Sequence, residues 1–240
     1  MAARTHRTDR RAFLESLGLA AFITPGLFAE TLSPTPATTE GPFYPDRLPL
    51  DTDNDLVIIN DALTPAVGEI ALLGGRVVSA SGAPMRNAFV EIWQCDSKGS
   101  YLHTQGRAPA VDSNFQGYGR FMTDSKGNYV FRTIKPVAYT LRGAFRAPHI
   151  HLAVSRNGRR LFTTQVGIKR HPSNARDAVF RGVRDPKALD TLLVDFTPVK
   201  GSRMQELAAN FDIVLGRTAS EGEDGALRGG IGQPEGLRRR

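Results

Sequence analysis

Between residues 70 and 215 the chain is built from short runs rich in Val, Ile, Phe and Tyr, separated by clusters of Gly, Asp, Asn and Pro. Such runs between turn-forming residues are typical of β-strands joined by hairpins and short loops. Their regular recurrence predicts an all-β fold, a two-sheet antiparallel β-sandwich with long loops and at most one or two short helices. The predicted strands span residues 70–78, 88–95, 128–132, 149–154, 160–168, 192–196 and 210–215.

Two local patterns refine this prediction. A short helix is expected at residues 186–193, because Asp185 can cap its N-terminus and Pro186 suits its first turn. The sequence Asp-Ser-Lys-Gly-Ser-Tyr at 96–101 returns as Asp-Ser-Lys-Gly-Asn-Tyr at 124–129. Asp and Gly at turn positions favour two similar hairpin turns over a duplicated domain.

The first 29 residues have the parts of an export signal. Arg10 and Arg11 precede an apolar stretch at 17–28, which ends at the small residue Ala29. The segment Thr-Asp-Arg-Arg-Ala-Phe-Leu resembles a twin-arginine signal, which a receptor reads as an address. We therefore expect export to the periplasm or the extracellular space, with cleavage after Ala29. An amphipathic N-terminal helix is the alternative, although the apolar stretch lacks a polar face.

The rest of the chain divides into three parts. Residues 30–69 form an extended N-terminal segment, in which Ser, Thr and Pro lead into the ring-rich sequence Glu-Gly-Pro-Phe-Tyr-Pro at 40–45. Residues 70–216 form the β-sandwich domain. Residues 217–240 are rich in Gly, have few apolar side chains and end in three Arg residues, which predicts a disordered, basic-ended tail.

Charge and cysteine content exclude several classes of protein. The formal net charge of +7 is concentrated at the two ends of the chain, so the body is too weakly basic for a nucleic-acid surface. No apolar run reaches the length of about 20 residues that a membrane helix needs. The single cysteine, Cys95, excludes an internal disulfide and a multi-cysteine zinc site.

The segment Arg-Ala-Pro-His-Ile-His at 146–151 carries the strongest chemical signal. In a strand, His149 and His151 lie on one face while Ile150 points to the other, so the two imidazoles form half of a metal site. Without a cysteine cluster the missing ligands are oxygen donors, and a tyrosine phenolate would favour a ferric ion. Spacing alone leaves the choice between Tyr101 and Tyr129 open, because both end the repeated turn sequence. Two exposed histidines without a metal are the simpler alternative.

Several motifs in a fixed order resemble those of the intradiol ring-cleavage dioxygenases. They are Leu-Gly-Gly-Arg-Val at 73–77, Ala-Phe-Val-Glu-Ile-Trp-Gln-Cys at 88–95, Asn-Phe-Gln-Gly-Tyr-Gly-Arg-Phe from 114, Thr-Ile-Lys-Pro from 133 and the segment at 146–151. The resemblance covers residues 70–168, and more loosely 40–46 and 192–215. It implies a β-sandwich with one mononuclear, non-haem Fe(III) centre per chain.

The resemblance also implies roles for individual residues. The iron ligands of the family match Tyr101, Tyr139, His149 and His151. Arg146 matches an arginine beside the reacting ring, and Gln165 matches a glutamine behind the ligands. In the implied reaction a catechol binds ferric iron as a dianion and displaces hydroxide and the Tyr139 phenolate, and these two departing anions accept its two protons. Dioxygen cleaves the ring between its hydroxylated carbons, Arg146 stabilises the developing negative charge, and a cis,cis-muconate-type product results.

Further implications concern partners and departures from the family pattern. The implied partners are a small aromatic diol and dioxygen. The resemblance also implies a homo-oligomer, and it leaves open whether a companion subunit is needed. The chain departs from the pattern at 137–138, 147–148 and 166–168, and Gly167 is expected to widen the wall of the site. These departures leave the ring substituents undecided. The alternative is a non-catalytic, transthyretin-like binding module on the same sandwich, with a vestigial or zinc-occupied histidine pair.

Replacing Arg10 and Arg11 by Lys should retain the precursor in the cytoplasm, because an ammonium group does not reproduce the planar guanidinium that a twin-arginine receptor reads. Cell fractionation with an antibody against the sandwich domain measures the effect. Arg4 and Arg7 replaced by Lys serve as the control, since the same change is then made outside the pair. Unchanged export of the Arg10/Arg11 variant would point to the general secretory route or to no signal.

Overall fold

The computed structural model describes residues 32–60, 62–108, 110–141 and 143–216, together with the backbone at 220–221 and 227–228. The predicted signal at 1–29 lies outside these residues, as does most of the predicted tail at 217–240. Two short strands, Ser220–Glu221 and Leu227–Arg228, pair within that tail. In the described part of the chain, no helix is both long and apolar enough to span a membrane.

Strands and their connections make up almost all of the described structure. In chain order the strands of the sandwich are β1 (Ile70–Ser79), β2 (Phe89–Trp93), β3 (Tyr118–Met122), β4 (Asn128–Ile134), β5 (Tyr139–Leu141), β6 (Ala144–Arg146), β7 (His149–Arg156), β8 (Arg159–Ile168), β9 (Leu193–Val194), β10 (Thr197–Pro198), β11 (Leu207–Asn210) and β12 (Ile213–Leu215). The connections contain the short helices α1 (Ala178–Gly182) and α2 (Pro186–Thr191), and the 3₁₀ turns Thr104–Gly106 and Pro172–Arg176.

The main strands form two five-stranded sheets. In the first, β1 pairs antiparallel with β4 and parallel with β11 and β12, and β10 lies outside β11. The second has the order β3-β2-β7-β8-β9 and is antiparallel except for the pair β8–β9. One apolar core contains residues of both sheets, so the predicted β-sandwich is confirmed. Its sheets are mixed rather than wholly antiparallel, because β11 and β12 run in the same direction as β1.

Alternation along the strands builds the core and a second, smaller cluster. On β7, Ile150, Leu152 and Val154 point into the core between the sheets. The residues between them, such as His151 and Ala153, are also buried, but on the other face of the strand. That face is covered by a cluster of rings and small side chains that includes Trp93, Tyr101, Tyr118 and Tyr139. Strand β7 is therefore covered on both faces, and its second face can carry polar chemistry away from solvent.

The predicted elements agree with the structure except where their local signal is weak. Each predicted strand overlaps an observed one, and the predicted helix begins after Asp185, whose side chain accepts a hydrogen bond from the Lys187 N–H at 3.0 Å. Strands β3, β5, β6 and β10 were not predicted. Gly119 and Arg120 interrupt the apolar pattern of β3, and the other three strands have only two or three residues each. Helix α1 has only five residues, too few for a helical periodicity to be visible.

Both copies of the repeated sequence adopt the same turn, as predicted. Asp96 accepts hydrogen bonds from the backbone N–H groups two and four residues later, and Asp124 does the same in the second copy. The glycine of each copy, Gly99 or Gly127, has a φ of 81° or 78°, a conformation in which glycine is strongly favoured. The repeat is thus a repeated turn rather than a repeated domain.

Gly75 should tolerate no side chain, because the backbone that joins β11 to β12 lies directly against it. A Cβ at this position would be 2.0 Å from the carbonyl oxygen of Phe211 and 2.6 Å from its carbonyl carbon. Gly75→Ala should therefore lower the free energy of unfolding by about 3 kcal/mol, measured by urea denaturation. Gly182→Ala is the control, since no described atom beyond the adjacent residues and the backbone of its own helix lies within 4 Å of its added Cβ. This variant should stay within about 0.5 kcal/mol of the unchanged protein. Equal stability of the two variants would contradict the close contact between Gly75 and the backbone at Phe211.

Candidate metal centre

Strand β7 presents two imidazoles side by side at its first and third residues. His149 and His151 are each 1% exposed, and their Nε2 atoms lie 3.2 Å apart. The strand is held between β2 and β8, where Trp93 and Gln165 are the direct neighbours of His151. The intervening Ile150 points into the core, as the strand periodicity predicts. The structure thus brings the predicted histidine pair together.

Two tyrosines from separate parts of the chain complete a cluster of four donor atoms. Tyr101 follows the first repeated turn, and Tyr139 begins β5. The Tyr101 Oη lies 3.3 Å from His149 Nε2, 3.4 Å from His151 Nε2 and 3.4 Å from Tyr139 Oη. The four residues predicted as metal ligands therefore meet at one point, although Tyr101 and His151 are 50 positions apart in the chain.

Burial keeps both imidazoles neutral and able to act as donors. The pKa of His149 and that of His151 lie well below the ordinary histidine value, because burial disfavours the charged form and the nearby Arg146 adds a positive charge. His149 Nδ1 lies 2.6 Å from the carbonyl oxygen of Ala147 and donates to it, so its Nε2 carries the lone pair. His151 Nδ1 has no hydrogen-bond partner among the described residues, and its ring instead stacks on Trp93 with 4.9 Å between centroids.

The two phenols need a cation before they can ionise. Burial raises the pKa of Tyr101 well above its ordinary value, and it also raises the pKa of Tyr139. A metal ion reverses this effect, because its charge stabilises the phenolate. Tyr139 is the most exposed of the four donors, at 8% against 2% for Tyr101. Solvent and small molecules therefore reach Tyr139 more readily than Tyr101.

The geometry and chemistry of these donors fit a single metal ion. Nitrogen and oxygen ligands that each lie about 2.0–2.1 Å from one shared metal ion are no more than about 4.2 Å from one another. The four measured separations within the cluster run from 3.2 to 3.4 Å. Imidazole and phenolate donors without sulfur suit iron better than a metal that prefers thiolates. Within the described ranges no group of three His, Cys, Asp or Glu side chains could hold a metal, so this site depends on its tyrosines.

The N-terminal segment covers one side of the cluster. Gly41, with a φ of 71°, lies so close to His151 that an added Cβ would be 3.2 Å from the ring carbon Cε1. The ring of Phe43 packs against that of Tyr101 with 5.1 Å between centroids. The ring-rich sequence at 40–45 therefore forms part of the wall around the donors and shields them from water.

A buried carboxylate anchors this segment to the sandwich. Glu91 of β2 accepts hydrogen bonds from the hydroxyls of Tyr44, at 2.9 Å, and Tyr118. Glu91 also pairs with Arg160 of β8 at 3.0 Å, and Arg160 in turn pairs with Glu40 at 2.7 Å. Glu91 is not among the predicted site residues, and the available signal was a single acid inside the apolar run at 88–95.

Arg146 reaches the cluster from β6, where it lies directly opposite Tyr139. Its Nε donates to Asp177 Oδ2 at 2.9 Å, and its Nη2 donates to Gln165 Oε1. Gln165 Nε2 donates in turn to the carbonyl oxygen of Thr39 at 2.8 Å. The structure thus places Arg146 and Gln165 beside the donors, as the family resemblance implies. Asp177 was not predicted, and its signal was an acid just before a short apolar segment, a typical helix cap.

The second copy of the repeated turn leads away from the site. The ring of Tyr129 lies in the core between the sheets, and its hydroxyl donates to the carbonyl oxygen of Phe211. Tyr118 lies on β3 directly opposite Trp93, and its hydroxyl donates to Glu91. The choice that spacing left open therefore falls on Tyr101.

Gly167 does not widen the site, so this expectation was wrong. A Cβ at Gly167 would lie 2.6 Å from Cζ of Phe180 and 3.0 Å from Cδ2 of Leu193. Phe180 belongs to α1 and is fully buried, and its ring fills the space that a side chain at 167 would take. The local sequence could not show that a ring 13 positions later folds back onto this strand.

Comparisons with known proteins agree with this arrangement. The family model described as Dioxygenase matches residues 39–217. The protocatechuate 3,4-dioxygenase beta chain of Burkholderia cepacia is 40% identical over 162 residues, which cover 64% of this chain and 68% of the relative. Catechol 1,2-dioxygenase 2 of Acinetobacter lwoffii is 32% identical over 152 residues, which cover 58% of this chain and 52% of the relative. The chain thus spans about half the length of that second relative.

A solved structure with a similar fold is also related to this chain in sequence. The dioxygenase domain of a dioxygenase carbohydrate-binding protein fusion from Streptomyces sp. SirexAA-E has a TM-score of 0.56 and 27% identity. The match covers 77% of this chain and 99% of that domain. The family model covers most of the chain, including both sheets and all four donors. The chain therefore belongs to the intradiol ring-cleavage dioxygenase family.

Proposed function

We propose that this chain is a non-haem Fe(III) dioxygenase that cleaves a catechol-type ring between its two hydroxylated carbons. The products of such a cleavage are of the cis,cis-muconate type, and both atoms of dioxygen enter them. The observation that carries the proposal is the convergence of two phenols and two neutral imidazoles on one point beside the cation Arg146. Membership of the intradiol family supports the same reaction.

The four donors would hold one ferric ion per chain. Tyr101 and Tyr139 as phenolates would offset two of its three positive charges, and His149 and His151 would add neutral donors. When bound, ferric iron supplies a Lewis acid that draws electron density from a catechol, so that the ring becomes reactive toward dioxygen. The rings of Phe43 and Trp93 and the backbone at Gly41 keep these donors dry.

Tyr139 is the residue we assign to proton transfer. It is the most exposed of the four donors, whereas Tyr101 is held between Phe43 and the histidines. As the phenolate, Tyr139 would therefore leave the cluster and accept one proton from a catechol hydroxyl. The fixed positive charge of Arg146 stabilises the negative charge that develops on the ring as dioxygen attacks. Gln165 acts through Arg146, whose Nη2 it binds.

The alternative of a non-catalytic binding module explains the site less well. A vestigial site gives no reason for four donors to stay together in a buried cluster with an arginine beside it. Zinc is bound in proteins mainly by cysteine, histidine and carboxylate ligands, and two of these four donors are phenols. A colourless protein that contains zinc would favour the binding module.

Substrate, assembly and location belong to the same proposal. Relatives named for protocatechuate, catechol and hydroxyquinol define the candidate aromatic diols. We expect a homo-oligomer, and the existence of relatives named as alpha and beta chains supports a companion subunit as the alternative. The twin-arginine-type sequence at 1–29 supports a periplasmic or extracellular enzyme.

The purified, iron-loaded protein should consume one dioxygen for each molecule of at least one of catechol, protocatechuate and hydroxyquinol. An oxygen electrode measures the stoichiometry, and mass spectrometry after reaction with ¹⁸O₂ should find two labelled oxygen atoms in an acyclic diacid. Absence of uptake with all three compounds would contradict the proposed activity. A ring opened outside the hydroxyl pair would contradict intradiol cleavage.

Tyr101→Phe should shift or bleach the visible band that a ferric phenolate gives, because it removes one phenolate from the cluster. Tyr129→Phe is the matched control, since it removes the same hydroxyl from the second copy of the turn, where the ring lies in the core. Absorption spectra and iron content of both variants provide the measurement. Equal spectra of the two variants would show that Tyr101 is not a ligand. If the protein without substitutions is colourless and contains zinc, the binding module would be supported instead.

A further inference from the structure

One fully buried carboxylate joins helix α1 to the strand end that precedes His149. Oδ2 of Asp177 accepts hydrogen bonds from Arg146 Nε at 2.9 Å and from the Ala147 backbone N–H at 2.8 Å. Its Oδ1 accepts from the backbone N–H groups of Val179 and Phe180, which caps the helix. Asp177 is 0% exposed, so each of these four bonds is made away from solvent.

The guanidinium of Arg146 is fixed along one edge by two acceptors. Nε donates to Asp177 and Nη2 donates to Gln165, while Nη1 has no hydrogen-bond partner in the described part of the chain. Burial alone would raise the pKa of Asp177, but its hydrogen bond and ion pair with Arg146 lower the pKa overall, so the carboxylate is charged. A planar guanidinium held by two bonds on one edge has its remaining donors in a defined direction.

Helix α1 has a second attachment to the strands of the site. Phe180, one turn after Asp177, lies against the backbone of Gly167. Gly167 is the direct neighbour of His149 across the β7–β8 pair. The helix is therefore seated at two points, on Arg146 through a carboxylate and on β8 through a ring.

We infer that helix α1 positions Arg146 for ring cleavage, with Asp177 as the positioning residue and the contact between Phe180 and Gly167 setting the seat of the helix. This inference rests on the proposed function, in which Arg146 stabilises charge on the reacting ring. Stability alone does not explain such a pair, because buried ion pairs are often no more stabilising than apolar packing of the same volume. A direction imposed on the guanidinium does explain it, since electrostatic stabilisation depends on groups that are already oriented.

Asp177→Asn tests the inference, because asparagine can still cap the helix but no longer offers a charged acceptor to Arg146. The variant should keep its iron and bind catechol anaerobically with little change, while kcat falls about 10- to 100-fold. Asp185→Asn is the matched control, since Asp185 caps α2 in the same way without an arginine partner. Its kcat should stay within about twofold of the unchanged enzyme.

A double-mutant cycle separates positioning from a structural role. If Asp177 acts through Arg146, then Asp177→Asn should lower kcat no further in the Arg146→Leu background. A merely structural role would lower kcat by the same factor in both backgrounds, and that result would overturn the inference. Full activity of Asp177→Asn in an active enzyme would overturn it as well. Inactivity of the unchanged enzyme on all three catechols would be a failure of the proposed function itself.

Gly167→Ala tests the positioning of Arg146 by helix α1 without changing any charge. Its Cβ would meet the Phe180 ring at 2.6 Å, so the helix should be displaced and kcat should fall while iron content is retained. The double variant Gly167→Ala/Phe180→Leu should recover part of the lost kcat, because the smaller side chain makes room. This pair also keeps the inference testable if Asp177→Asn does not fold. Unchanged kcat in Gly167→Ala, or no recovery in the double variant, would show that the contact between Phe180 and Gly167 does not set the position of helix α1.

Discussion

The two-residue periodicity of strand β7 is the constraint on which the site depends. Burial of Ile150, Leu152 and Val154 in the core obliges His149 and His151 to face the other way. A slip of one residue would send both imidazoles into the apolar core, so the packing of the sandwich fixes the face on which the two histidines lie. The same burial lowers the pKa of the imidazoles and keeps their lone pairs available. The packing of the core and the neutrality of the two imidazoles therefore have one cause.

Two buried carboxylates, each paired with an arginine, hold covering elements against this strand. Glu91 with Arg160 holds the N-terminal segment on the side of Trp93, and Asp177 with Arg146 holds helix α1 on the other side. Buried charges are tolerated in proteins when they are paired and hydrogen-bonded, and both carboxylates satisfy this condition. The enclosure of the donors thus relies on polar contacts, although its inner surface is largely aromatic.

Local patterns allowed much of the sandwich and half of the site to be predicted. Apolar runs predicted the main strands, Asp185 and Pro186 predicted α2, and His149 with His151 predicted a pair of donors. The choice between Tyr101 and Tyr129 needed the family resemblance, because identical turns precede both residues. What separates them lies beyond the turn, since Tyr129 enters β4 and alternates into the core, whereas Tyr101 enters a loop. The contact of Asp177 with Arg146 spans 31 positions and has no local signature.

The topology also orders events in time as the chain is made. Strand β1 begins at Ile70, but its parallel partner β12 ends only at Leu215, so the first sheet closes late and over a long loop. The second sheet, which carries the histidines, is complete by Val194. All four donors therefore leave the ribosome, and can be brought together, while one layer of the sandwich is still unfinished. The four donors are thus supplied entirely by chain that is synthesised before the strands that close the first sheet.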